Sequence, residues 1–140
     1  MKALGLTPIL NVSDIEQSLA WFAKFGWNRG FIWGEPPSFA SVCSGVCEIF
    51  LCRGAQGSRG KGANKTTFGD EAIGETADRG VWMSLWVDDV DAVHRDCLEQ
   101  GIEIMWPPTD MPWGVREMHV RHPDGHIFRV SRGNEGDEQS

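Results

Sequence analysis

Hydrophobic and polar positions alternate with period two on either side of Pro123-Asp124-Gly125. Met118 and Val120 precede the turn and Phe128 and Val130 follow it, whereas Glu117, His119, Arg121, Ile127 and Arg129 fall on the opposite parity. Such alternation predicts two antiparallel strands with one face on a core. Pro-Asp-Gly supplies the φ values that a tight hairpin turn needs. The second face carries two arginines, a histidine and a carboxylate, so it is either solvent-facing surface or the floor of a polar pocket. Upstream, residues 6–12 (LTPILNV) read as a strand, and Ser13 with Glu16 forms an S-x-x-E capping box. Ile15, Leu19, Phe22 and Ala23 then recur at helical spacing to about Phe25, and Gly26 supplies the left-handed stop. Short β-like runs follow at 28–33, 38–43 and 46–53, parted by Glu35-Pro36-Pro37 and by a Ser-Gly turn.

Residues 54–80 hold seven glycines and almost no apolar periodicity, and read as a long linker. After them the order of elements returns: a strand at 81–87, a helix at 89–100 with Val90, Val93, Cys97 and Leu98 on one face, a strand at 102–106, a break at Pro107-Pro108, and the hairpin. Val12-Ser13-Asp14-Ile15 matches Val87-Asp88-Asp89-Val90 at a shift of 75 positions, and Gly26 maps onto Gly101 at the same shift. A shared strand–helix junction and a shared helix stop predict a duplicated βαβββ module. The expected organisation is α+β, with modules at 1–53 and 81–132, the linker at 54–80 and a disordered tail at 133–140.

The paired βαβββ order, the V-x-D-[IV]-x-x-[SA] junctions and the closing PWGVREMHVRHPDGHIFRV, which is similar to a P-W-G-x-R-x-x-x-x-x-D-P-D-G segment, resemble the vicinal oxygen chelate superfamily. That group holds glyoxalase I, extradiol dioxygenases, fosfomycin-resistance enzymes and bleomycin-resistance proteins. The resemblance spans about residues 6–132. It implies that each module curls a mixed sheet into a cup with its helix outside, that two cups face each other, and that metal ligands, where present, sit on the first and last strands of both modules. Parity places Trp82, Ser84 and Trp86 on the cup side, and the shift of 75 maps Trp82 onto Thr7, with Ile9 and Asn11 on the same face. Aligning Ile49-Phe50-Leu51 with Phe128-Arg129-Val130 adds Phe50 and Arg129. Thr7, Phe50, Trp82 and Arg129 therefore stand where the resemblance puts metal ligands. Divalent metals need imidazole, carboxylate or thiolate donors, and a guanidinium repels them, so the expectation is no metal and no cofactor.

Composition narrows the partners. Twenty acidic residues against 13 basic give a net charge of −7, which disfavours nucleic acid and attracts cationic small molecules. Apolar residues make up 41% of the chain without a run of membrane-spanning length, and the N-terminus shows no cleavage pattern, so a cytoplasmic protein is expected. Cys43, Cys47, Cys52 and Cys97 make no CxxC pair and read as reduced thiols. Seven tryptophans and no tyrosine suggest flat surfaces for stacking, with Trp33, Trp106 and Trp113 balanced between packing and ligand contact.

Other chemistry is weaker. His119, His122 and His126 cluster in sequence, but parity splits them between the cup face, the turn and the core side. His94 reads as a boundary histidine. The acidic run Asp88, Asp89, Asp91 and Asp96 reads as the solvated start of the second helix. Ser41, Cys43 and His119 share cup parity, yet no spacing among them requires a nucleophile. The reading is a metal-free, bleomycin-resistance-like homodimer that sequesters an aromatic or cationic compound such as an antibiotic. Its candidate ligand-binding residues are Thr7, Phe39, Phe50, Trp82, Trp86, Trp113, Glu117, His119 and Arg129, with no catalytic residue assigned. The alternative is a glyoxalase- or dioxygenase-like lyase or isomerase with a displaced metal site.

Overall fold

The computed structural model describes residues 1–62 and 79–133. The rest of the linker and the expected tail from 134 onward lie outside the described residues. The elements run β1 (Ile9–Val12), α1 (Ile15–Lys24), β2 (Asn28–Trp33), β3 (Phe39–Ser44), β4 (Cys47–Arg53), β5 (Trp82–Trp86), α2 (Val90–Gln100), β6 (Ile104–Asp110), β7 (Val115–Arg121) and β8 (Ile127–Gly133). They form two open four-stranded sheets of the same topology, β1-β4-β3-β2 and β5-β8-β7-β6. In each, the first strand pairs parallel with the last and the other pairs are antiparallel. The duplicated α+β architecture expected from the sequence is the one observed.

Three local expectations are corrected. The α1 cap is Asp14, whose side chain accepts from Gln17 N, and not Ser13. Ser13 instead donates its backbone N–H to Asp124 Oδ2 at 2.9 Å, a partner 111 positions away that no local pattern reveals. Pro107-Pro108 does not end the strand, because β6 is the sheet edge and shifts register between Trp106 and Thr109. An edge strand tolerates prolines whose missing N–H would point to solvent. The first strand begins at Ile9, so Thr7 lies just outside it.

The two modules share one core. Leu10, Val12 and Leu51 from the first sheet and Met118, Val120, Phe128 and Val130 from the second are essentially solvent-free, together with Phe22 of α1 and Val90 of α2. Trp21 stacks on Phe128 with ring centres 5.8 Å apart, and Phe25 packs on it at 5.2 Å. The β7–β8 turn is driven into this joint. His122 bonds Ser18 Oγ at 2.7 Å and accepts the Asp124 N–H on Nδ1, while His126 accepts the Val81 N–H on Nδ1 and donates from Nε2 to the Asn11 carbonyl at 2.8 Å. Both rings are therefore neutral and protonated on Nε2. Burial, reinforced by His126 nearby, pushes the His122 pKa down to about 3, and burial lowers that of His126 as well.

Gly125 closes this turn at φ 91°, and a Cβ there would collide with the Gly60 carbonyl. Gly60 itself donates to the Asp124 carbonyl at 2.6 Å, which holds the start of the linker over the turn. Gly125→Ala is expected to cost at least the roughly 1–3 kcal/mol of a strained left-handed residue. Urea unfolding would measure it, and an unchanged midpoint would show that the linker does not pack there.

Candidate functional site

The register of the second sheet lines its outer face in rows. Trp106, His119, Arg129 and Ser84 stand side by side across β6, β7, β8 and β5, and Thr109, Glu117, Ser131 and Trp86 form the next row. This face is partly buried and not plain surface. Glu117 and His119 are 0% and 2% exposed although they lie on the polar parity of β7.

Glu117 is the centre of a saturated network. Its Oε1 accepts from Trp113 Nε1 at 3.0 Å and from Arg129 Nη2 at 3.2 Å; its Oε2 accepts from Arg129 Nε at 3.3 Å and from His119 Nε2 at 2.6 Å. Burial alone would raise the carboxyl's pKa. The hydrogen bonds from Arg129 and His119, together with the guanidinium charge, outweigh it and hold Glu117 below the usual carboxylate range. Burial depresses His119, against the pull of Glu117, so the imidazole is neutral at pH 7. Among the described residues of the network, Arg129 is the one that shows its charge to solvent: its side chain is 27% exposed, with Cζ 5.6 Å from the Trp82 ring centre. Trp82 and Trp86, 44% and 53% exposed, flank it as flat apolar surfaces.

The first sheet presents a face of different chemistry. Phe31 stacks on Phe39 at 5.7 Å, and Phe50 closes the triad at 5.6 and 5.3 Å. Phe31, Trp33, Phe39 and Cys52 line an open apolar hollow of about 370 Å³. Phe31 was not among the residues expected here. The β2–β3 register shifts between Arg29 and Ile32, so simple alternation misplaces it.

The structure brings together Trp82, Trp86, Trp113, Glu117, His119 and Arg129 on one face, and Phe39 with Phe50 on another. Thr7 joins neither set. It borders a crevice of about 520 Å³ between the segment before β1, the start of β4, and Met83–Leu85 of β5. The four family ligand positions thus fall in three settings, and Arg129 is committed to Glu117. A hydroxyl, a phenyl, an indole and an ion-paired guanidinium do not fit a divalent metal. Among the described residues no three His, Cys, Asp or Glu side chains converge into an alternative site. Nor does a nucleophile assemble: Ser41 Oγ accepts from Phe31 N in the first sheet, while His119 is bound to Glu117 in the second.

The family model for the Glyoxalase/Bleomycin resistance protein/Dioxygenase superfamily matches residues 5–130. Among solved structures, the chain is similar to TioX from Micromonospora sp. ML1, with TM-score 0.70 and 22% identity over 94% of this chain and 99% of that one. It is also similar to a bleomycin-binding protein in complex with bleomycin, with TM-score 0.66 and 18% identity over 94% and 100% of the two chains. A bleomycin resistance determinant encoded on transposon Tn5 aligns with TM-score 0.66 and 18% identity over 94% and 98%. No curated protein matches the sequence. At these identities the structural likeness is one of fold.

Proposed function

This chain belongs to the Glyoxalase/Bleomycin resistance protein/Dioxygenase superfamily, and from that premise we propose that it is a metal-free binding protein that sequesters a flat aromatic compound, such as an antibiotic. The carrying observation is the floor of the second sheet, where half-exposed Trp82 and Trp86 lie beside a rigid, fully bonded Glu117 network. A saturated polar framework holds the Trp113 indole by its Nε1–H and sets Arg129 beside Trp82, with the carboxylate taken up by these bonds. The solved bleomycin complex on this fold supports the reading. Net negative charge favours cationic ligands at long range.

In this reading the protein works as a homodimer. Each outward face covers too little of a ligand alone, and a second copy would set its Phe31–Phe39–Phe50 face against Trp82 and Trp86, with Thr7 at the rim. Light scattering at micromolar concentration is expected to give twice the mass of one chain; a monomer would exclude the composite cup. Flat polycyclic compounds, acridine-like and bleomycin-like among them, are expected to quench tryptophan fluorescence saturably. Several stacking and cation–π contacts of about 0.5–2 kcal/mol each suffice for micromolar affinity. The absence of quenching across the panel would overturn sequestration, and a stoichiometric metal found by elemental analysis would return the protein to the family's enzymes.

A further inference from the structure

We infer that the floor of the second sheet recognises a hydrogen-bond acceptor on its ligand, a carboxylate above all, through the free edge of Arg129. This deepens the sequestration reading and rests on it. Glu117 takes Nε and Nη2 of Arg129, and among the described residues none accepts from Nη1. The guanidinium is thus clamped along one edge by a carboxylate, braced beneath by Trp82, and open along the other. Such a group is already oriented, so a planar acceptor that reaches it loses little further side-chain entropy.

Among the described residues the floor has no free carboxylate to offer in return. Both Glu117 oxygens are filled by Trp113, His119 and Arg129, and Glu117 itself is solvent-free, so an ammonium group on the ligand finds no carboxylate to touch. The exposed polar groups in the Arg129 row are the guanidinium, which only donates, and, next to it on β5, the Ser84 hydroxyl, which can donate or accept. In the same row Trp106 holds its Nε1–H buried, with no acceptor among the described residues. Glu117 and Arg129 cancel each other's charge, leaving the floor neutral overall but donor-rich at its surface. The acidic surface of the chain and this floor therefore act on different parts of a ligand: the first draws cations from a distance, the second selects an acceptor at contact.

The test uses three probes on one flat scaffold: naphthalene-2-carboxylate, its N-methylamide and 2-(aminomethyl)naphthalene. Calorimetry would be run in about 0.5 M NaCl, where the net charge is screened to within a few ångströms. The carboxylate is expected to bind at least tenfold tighter than the amine, with the amide between them. An amine that binds as tightly as the carboxylate would overturn the acceptor reading and leave sequestration standing; binding by none of the three would overturn both. Because Arg129→Ala alone strands a buried carboxylate, the matching variant is Glu117→Gln/Arg129→Gln, which removes both charges together. It is expected to melt cooperatively and close to wild type while the carboxylate preference falls below threefold. Retention of the tenfold preference in that variant would show that Arg129 is not the group recognised.

Discussion

Arg129→Ala is expected to lower the free energy of unfolding by about 3 kcal/mol at pH 7, and Glu117→Gln/Arg129→Gln to recover most of that loss. In the single variant the Glu117 carboxylate stays fully buried, with Trp113 and His119 as its donors among the described residues. A lone buried anion is costly because the interior solvates it poorly. The figure sits at the low end for a broken buried pair, since Arg129 is itself 27% exposed and partly screened. Losing its cation should raise the Glu117 pKa, so the deficit should shrink as pH is lowered towards 5. Urea unfolding of wild type and both variants at pH 7 and pH 5 would check the sign. A deficit equal at the two pH values would show that the carboxylate is not the source of the cost.

Acid should loosen the joint between the modules well before the carboxylates titrate. His122 and His126 are buried and neutral, each hydrogen-bonded at both ring nitrogens, and burial holds both below the ordinary imidazole pKa. For a depressed histidine the folded and unfolded states bind the same protons above about pH 6.5, and below it only the unfolded chain takes one up. Stability therefore falls as pH drops. With His122 held down to about 3, the loss from this residue alone reaches about 2 kcal/mol at pH 5, and His126 and His119 add in the same direction. Glu103 and Glu117, both held low by their cation partners against burial, extend the loss only below about pH 4.5, where carboxylates begin to protonate. Urea midpoints across pH 7, 6 and 5 would resolve the two windows. A stability that stays flat down to pH 5 would mean that solvent reaches these rings in the folded state.

Sequence alone determined the duplicated module, because period-two and period-3.6 apolar patterns, the Val12-Ser13-Asp14-Ile15 junction and the Gly26 stop are local signals that recur at a fixed shift. Parity along β5, β7 and β8 also placed Trp82, Glu117, His119 and Arg129 on one face, since alternation in a strand is a property of neighbouring residues. The family positions Thr7 and Trp82 followed from the same shift, and Phe50 and Arg129 from the alignment of the two last strands.

Tertiary structure decided how those pieces meet. Parity identified a polar face but could not tell surface from buried floor; the depth of Glu117 follows from Trp113 reaching back over it and Arg129 closing on it. His122 read as a turn histidine and His126 as leaning to the core side, and only the docking of the hairpin onto Ser18 and Asn11 made them struts between the modules. Thr7 was placed by analogy with Trp82, yet β1 starts two residues later and leaves it at the seam crevice, while a register shift in β2 brought Phe31 onto the aromatic face instead. Each of these depends on contacts between residues far apart in the chain, or on a backbone irregularity that breaks the simple period, and neither leaves a trace in the local order of apolar and polar side chains.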